Sequence, residues 1–196
     1  MTPPIEKIGS RQGLYETIFD TTYYNNNVTG NMIEAYDPDI VLLQIGTNDL
    51  LDNQNAGITD RLEKLVDKLL DSIDSNSMLF VASVPDIDVS VRHDWLWAYQ
   101  SSGYSYENNP EEFTALVEQS VDNYNASVKE LVEKKQVAGA RIRFADINSV
   151  VDVKTGLKDG VHPNEAGYAC MGKYWSEQVS AYLNSTTPTP TPATTT

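Results

Sequence analysis

The sequence predicts a three-layer α/β/α domain, with a parallel sheet enclosed by helices. Two observations point there: short apolar runs rich in branched side chains, and long stretches between them whose apolar residues recur three and four apart. The size agrees, since 196 residues with 40% in the apolar set make one ordinary domain with a real core.

The elements follow in order. One helix fits between Leu14 and Tyr36, interrupted by Asn25-Asn26-Asn27. Ile40 to Ile45 reads as a buried strand, preceded by Asp37-Pro38-Asp39 and stopped by Gly46. Leu62, Leu65, Val66, Leu69, Leu70 and Ile73 then mark one face of a helix that Thr59 or Asp60 can cap. Met78 to Val84, ended by Pro85, is a second strand. Phe113, Leu116, Val117, Val121, Tyr124, Val128, Leu131 and Val132 carry a second helix, and Arg141 to Ala145 a third, shorter strand. A last helix starts near Pro163-Asn164-Glu165 and carries Tyr168, Trp175, Val179, Tyr182 and Leu183. Residues 1–184 are thus assigned to the domain. Residues 185–196 have Pro at alternate positions over their middle and no apolar side chain larger than Ala, and read as a disordered, extended spacer to a further module.

The segment from Asp86 to Pro110 has no sustained period but holds Trp95, Trp97, Tyr99, Tyr104 and Tyr106. It follows the carboxyl end of a strand, where ligands gather in such sheets. Either it forms a lid or substrate-binding wall, or its aromatics fill a secondary core. His93 falls in it as a lid residue.

Composition excludes several functions. Fourteen Lys and Arg against 28 Asp and Glu give a net charge of -14, which repels a phosphate backbone, so nucleic acid is not expected as a partner. No apolar stretch is long enough for a membrane span, and the opening Met-Thr-Pro-Pro-Ile-Glu-Lys lacks a signal-peptide layout. One cysteine, Cys170, and two histidines leave no material for a disulfide or a structural zinc site, so no metal and no cofactor is expected.

Two motifs can carry chemistry. Gly46-Thr47-Asn48-Asp49 directly follows the first strand, where an Asn amide can offer a neutral donor to an oxyanion; the same residues also make an ordinary turn. Asp159-Gly160-Val161-His162-Pro163 precedes the last helix. Three residues of separation in a loop let the Asp carboxylate reach one ring nitrogen of His162, while the other nitrogen faces outward as a general base. A surface His beside a turn Asp would look the same.

Together, Ile-Gly-Thr-Asn-Asp-Leu and Asp-Gly-Val-His-Pro-Asn-Glu-Ala-Gly-Tyr resemble the third and fifth blocks of the SGNH (GDSL-type) hydrolases. In detail the chain is similar to the acetyl xylan esterases of carbohydrate esterase family 3, from about Arg11 to Leu183. The resemblance implies a flavodoxin-like sandwich and metal-free hydrolysis of an acyl ester through a serine nucleophile. It assigns His162 as base, Asp159 as its orienter and Asn48 as an oxyanion donor. A backbone N–H of Gly13, with Gly9 and Gly30 weaker matches, would be the second oxyanion donor. Trp95 and Trp97 would meet an acetylated polysaccharide such as xylan, and the location would be extracellular.

The nucleophile block departs from the pattern, because the chain contains no Gly-Asp-Ser. Ser10, in Ile8-Gly9-Ser10, is the nearest substitute, but the 30 steps from Ser10 to Ile40 cannot hold two crossovers and a strand. The expectation is therefore a domain lacking its first strands, cut from a longer enzyme. A non-catalytic carbohydrate-binding relative, or a rearranged site using Ser10, are the alternatives. Asn27, Asn125 and Asn184 each open an N-glycosylation pattern.

Overall fold

The computed structural model describes Ile18, residues 32–101 and residues 104–186. Within them run α1 (Met32–Tyr36), β1 (Ile40–Gln44), α2 (Thr47–Leu51), α3 (Ile58–Ser72), β2 (Met78–Ala82), α4 (Val89–Arg92), α5 (Pro110–Val137), β3 (Ile142–Ala145) and α6 (Glu165–Thr186). The three strands pair in parallel in the order β1-β2-β3, with Leu43 opposite Val81 and Val81 opposite Phe144.

Side chains alternate across a strand, so this register sorts the sheet into two apolar faces. Leu43, Leu79, Val81 and Ile142 face a core closed by Leu62, Leu65, Val66 and Leu69 of α3 and by Phe113, Val117, Val121, Val128 and Val132 of α5. On the opposite face Phe80 meets Trp175 and Tyr182 of α6 edge-on, and Ala82 and Ala145 pack with Met171. Helices on both faces make the three-layer sandwich that the periodicity predicts, and β2, at the centre, is buried along its whole length.

Helix starts differ in detail from the expected caps. Neither Thr59 nor Asp60 caps α3: its N-cap is Gly57, at φ 71°, and the Thr59 hydroxyl instead donates to Ser127 on α5. Asn164 does cap α6, its Oδ1 accepting from the Gly167 N–H at 3.0 Å. Pro110 opens α5, where a missing N–H costs nothing. At the other end α6 continues through Ser185 and Thr186, two residues beyond the domain edge expected at Asn184. No described helix is long and apolar enough to cross a membrane.

Part of the aromatic segment joins the core. Tyr99, Tyr104 and Tyr106 surround Phe113 at ring separations of 6.0 to 6.3 Å and extend the core. Trp95 and Trp97 stay on the outside, the latter 67% exposed. His93 stacks on Tyr106 at 4.3 Å, with Glu107 3.9 Å from its Nε2. Ser10, Gly9, Gly13, Gly30 and Asn27 lie outside the described residues, as does the Thr-Pro run.

Candidate active site

The loop carrying His162 is built by its own sequence. Leu157 and Pro163 pair across it as an antiparallel bridge, and the Lys158 N–H donates to the His162 carbonyl at 2.8 Å, leaving Asp159 to His162 as the tip. Asp159 Oδ1 accepts from the backbone N–H groups of His162, at 2.8 Å, and Val161, at 3.2 Å, which closes an Asx turn. Gly160 sits at φ 84°, and a Cβ there would press on the Asp88 carbonyl at 3.0 Å and on Arg92. Only Gly allows the tip to lie against α4, where the Asp88 N–H donates to the Gly160 carbonyl at 2.8 Å.

This turn delivers the pairing expected from the three-residue spacing. His162 Nδ1 lies 2.9 Å from Asp159 Oδ2 and 3.2 Å from Oδ1. An ionised carboxylate only accepts, so Nδ1 carries the proton and Nε2 is the basic nitrogen. The backbone N–H of His162, more than its ring, holds the Asp159 carboxyl well below the usual carboxylate range, against a smaller opposing effect of burial. Asp159 therefore stays charged at neutral pH. The His162 side chain is 56% exposed, and Trp95 meets it edge-on with ring centroids 5.9 Å apart.

Asn48 stands in the first turn of α2, immediately beyond β1, and is exposed. Its placement depends on Gly46, whose φ of 117° turns the chain from strand to helix. The next residue, Asp49, is buried and pairs with Arg61 Nη2 at 2.9 Å. Arg61 also donates to the carbonyls of Gln54 and Ala56, which staples the end of α2 and its following turn to α3. That turn reaches the aromatic segment, since Asn53 Nδ2 donates to the Ala98 carbonyl at 3.2 Å. The turn after α2 and the His162 ring are thus each in contact with the aromatic segment, one at Ala98 and the other at Trp95.

Several residues that support these segments carry no sequence signal. Asn125, within an apparent glycosylation pattern, uses both ends of its amide on the backbone of Val84: Oδ1 accepts from the N–H at 2.8 Å and Nδ2 donates to the carbonyl at 3.0 Å. It closes the exit of β2 as a further strand residue would, and its nitrogen is not available to a glycan. Asn148 ties the same carbonyl to Asp86. Under Gly160, Asp88 is buried yet ionised: desolvation, which opposes its charge, is outweighed by Lys154 Nζ at 2.8 Å and by the Ser90 hydroxyl. Apart from Ser90, these partners are 41 to 66 residues apart in sequence, so only the fold reveals them.

A chemical reading follows from the arrangement. A carboxylate-oriented imidazole with an exposed Nε2 can take a proton from a hydroxyl and return it to a leaving oxygen.

Comparison with known proteins agrees with the fold. Residues 10–175 match the family model of the GDSL-like Lipase/Acylhydrolase. A multidomain esterase of Ruminococcus flavefaciens is 37% identical over 154 residues, which cover 79% of this chain and 17% of that protein. Among solved structures, the Clostridium thermocellum family 3 carbohydrate esterase superposes with TM-score 0.55 at 26% identity, over 79% of this chain and 62% of that one. A carbohydrate esterase family 3 protein from Talaromyces cellulolyticus gives TM-score 0.58 over 88% of this chain and 69% of its own, at 15% identity. The chain thus spans about a sixth of the curated esterase's length.

Proposed function

The chain belongs to the GDSL-like lipase/acylhydrolase family, and from that premise we propose that it serves hydrolysis of acetyl esters on a plant polysaccharide such as xylan. The observation that carries the proposal is the 2.9 Å contact between His162 Nδ1 and Asp159 Oδ2. It fits a serine-esterase mechanism. His162 Nε2 takes the proton of a serine hydroxyl as its oxygen bonds to the ester carbonyl carbon. The amide of Asn48, with the backbone N–H of Gly13, stabilises the resulting oxyanion. His162 then gives the proton to the sugar oxygen as the ester C–O bond breaks, and water releases acetate from the acyl-enzyme by the same two proton transfers in reverse order. Asp159 stays ionised throughout and stabilises the imidazolium.

Trp95 and Trp97 supply flat amphipathic surface beside the base, suited to sugar rings. The resemblance to a multidomain esterase supports a setting among further modules, joined through the Thr-Pro spacer, and an extracellular location.

Two measurements test this reading. Acetate release from acetylated xylan and from p-nitrophenyl acetate reports hydrolysis. A fluorophosphonate probe with peptide mass spectrometry locates the nucleophilic serine, and labelling of Ser10 would assign that role to it. The lack of any Gly-Asp-Ser favours one second reading, a carbohydrate-binding relative that does no chemistry. Protein that binds acetylated xylan, takes up no probe and releases no acetate would favour that reading, unless a longer chain carrying the expected Gly-Asp-Ser block releases acetate.

A further inference from the structure

The guanidinium of Arg92 is engaged on three sides. Its Nε donates to the Asp159 carbonyl at 2.6 Å, Nη1 faces Asp94 Oδ2 at 3.6 Å, and Cζ lies 4.1 Å above the Trp95 ring. Asp159 and Trp95 also flank the His162 imidazole, one at Nδ1 and one edge-on to the ring. Arg92 therefore holds both neighbours of the base without touching the base itself. Its side chain is only 18% exposed.

We propose that Arg92 is a positioning residue for His162, fixing the imidazole by clamping the Asp159 loop and the Trp95 ring together. The inference rests on the reading of His162 as the base. An imidazole that is 56% exposed has little packing of its own, and a single tether at Nδ1 leaves it free to swing. Small displacements of a proton-transfer group are expensive in rate. The clamp needs a planar fork that can donate in its plane while stacking through its face, which Lys cannot do.

The test uses Arg92→Met, which keeps the stem and deletes the fork, Arg92→Lys, which keeps the charge, and Trp95→Leu. The first readout needs no substrate: the far-downfield NMR proton of His162 Nδ1–H in its bond to Asp159. All three variants are expected to lose or broaden it. The second is hydrolysis of p-nitrophenyl acetate, where kcat falls about tenfold and KM stays within twofold. The Arg92→Met/Trp95→Leu double variant is expected to be no worse than the poorer single one, since both remove the same clamp.

Retention of the resonance and of kcat in Arg92→Met, full recovery by Arg92→Lys, or additive losses in the double variant would each overturn the inference. Should Arg92→Met not fold by circular dichroism, Arg92→Lys and Trp95→Leu decide it by the same readouts. Wild-type protein without hydrolysis would count against the esterase reading alone, and the resonance would then decide the role of Arg92.

Discussion

The phenol of Tyr124 occupies the space into which any side chain at Gly46 would project. Tyr124, in the middle of α5, reaches across the core so that its hydroxyl donates to the Ile45 carbonyl at 2.6 Å. Burial first, and then the nearby Asp49 carboxylate, push its phenol above the ordinary tyrosine range, so it remains a donor at every working pH. The turn that presents Asn48 is thereby fixed from below.

Gly46→Ala combines a left-handed φ with a clash against a buried ring, and is expected to cost about 2 to 5 kcal/mol. Urea unfolding measures it, and a loss below about 0.5 kcal/mol, the usual scatter of neutral surface changes, would contradict the packing account. Tyr124→Phe keeps the ring and leaves the Ile45 carbonyl without this donor, for about 1 to 2 kcal/mol.

The Asp49–Arg61 pair predicts a different pattern. Asp49 is 2% exposed at its side chain and Arg61 17%, so removing either one strands a charge in the interior. Arg61→Met or Asp49→Leu is expected to cost about 3 to 5 kcal/mol, and the double change much less than their sum. Additive losses would show that the two charges are not coupled.

This pair also shows where reading the sequence stops. Strands, helices and their two-sided burial were legible because the apolar periods of 40–45, 62–73 and 113–132 directly encode which faces meet. Asp159 and His162 were legible because a three-residue spacing is local geometry. Asp49–Arg61, Asn125–Val84 and Arg92–Asp159 were not, since each joins positions set side by side only by packing. Asn125 was misleading for the same reason: its tripeptide matches a glycan acceptor, whereas its amide is spent on Val84. The tyrosines of residues 86–110 could not be separated from the tryptophans without knowing that Phe113 lies beneath them.

Asp159 gives a pH prediction with a definite sign. Its carboxyl is depressed in the folded protein, so its contribution is full above the unfolded carboxylate value of about 3.9 and is lost as pH falls from there through the folded value. The stability difference between wild type and Asp159→Asn should be flat above about pH 5 and narrow below about pH 4. A difference that kept narrowing above pH 5 would contradict the depressed carboxyl.

With His162 as the proposed base, His162→Ala is expected to lower kcat for p-nitrophenyl acetate by roughly four orders of magnitude. Near-wild-type hydrolysis in this variant would remove His162 from the chemistry.

Trp97 separates sugar recognition from support of the base. At 67% exposure its ring is free of the core, and it is the neighbouring Trp95 that packs on His162. Trp97→Ala should therefore leave kcat/KM for p-nitrophenyl acetate within about twofold. It should lower kcat/KM for acetylated xylan by roughly tenfold, an aromatic stacking contribution of about 1 to 1.5 kcal/mol. Trp95→Leu should reduce both substrates, because it also frees the imidazole. Equal losses on the two esters for Trp97→Ala would place that ring in packing, and the polysaccharide would then have to be recognised elsewhere.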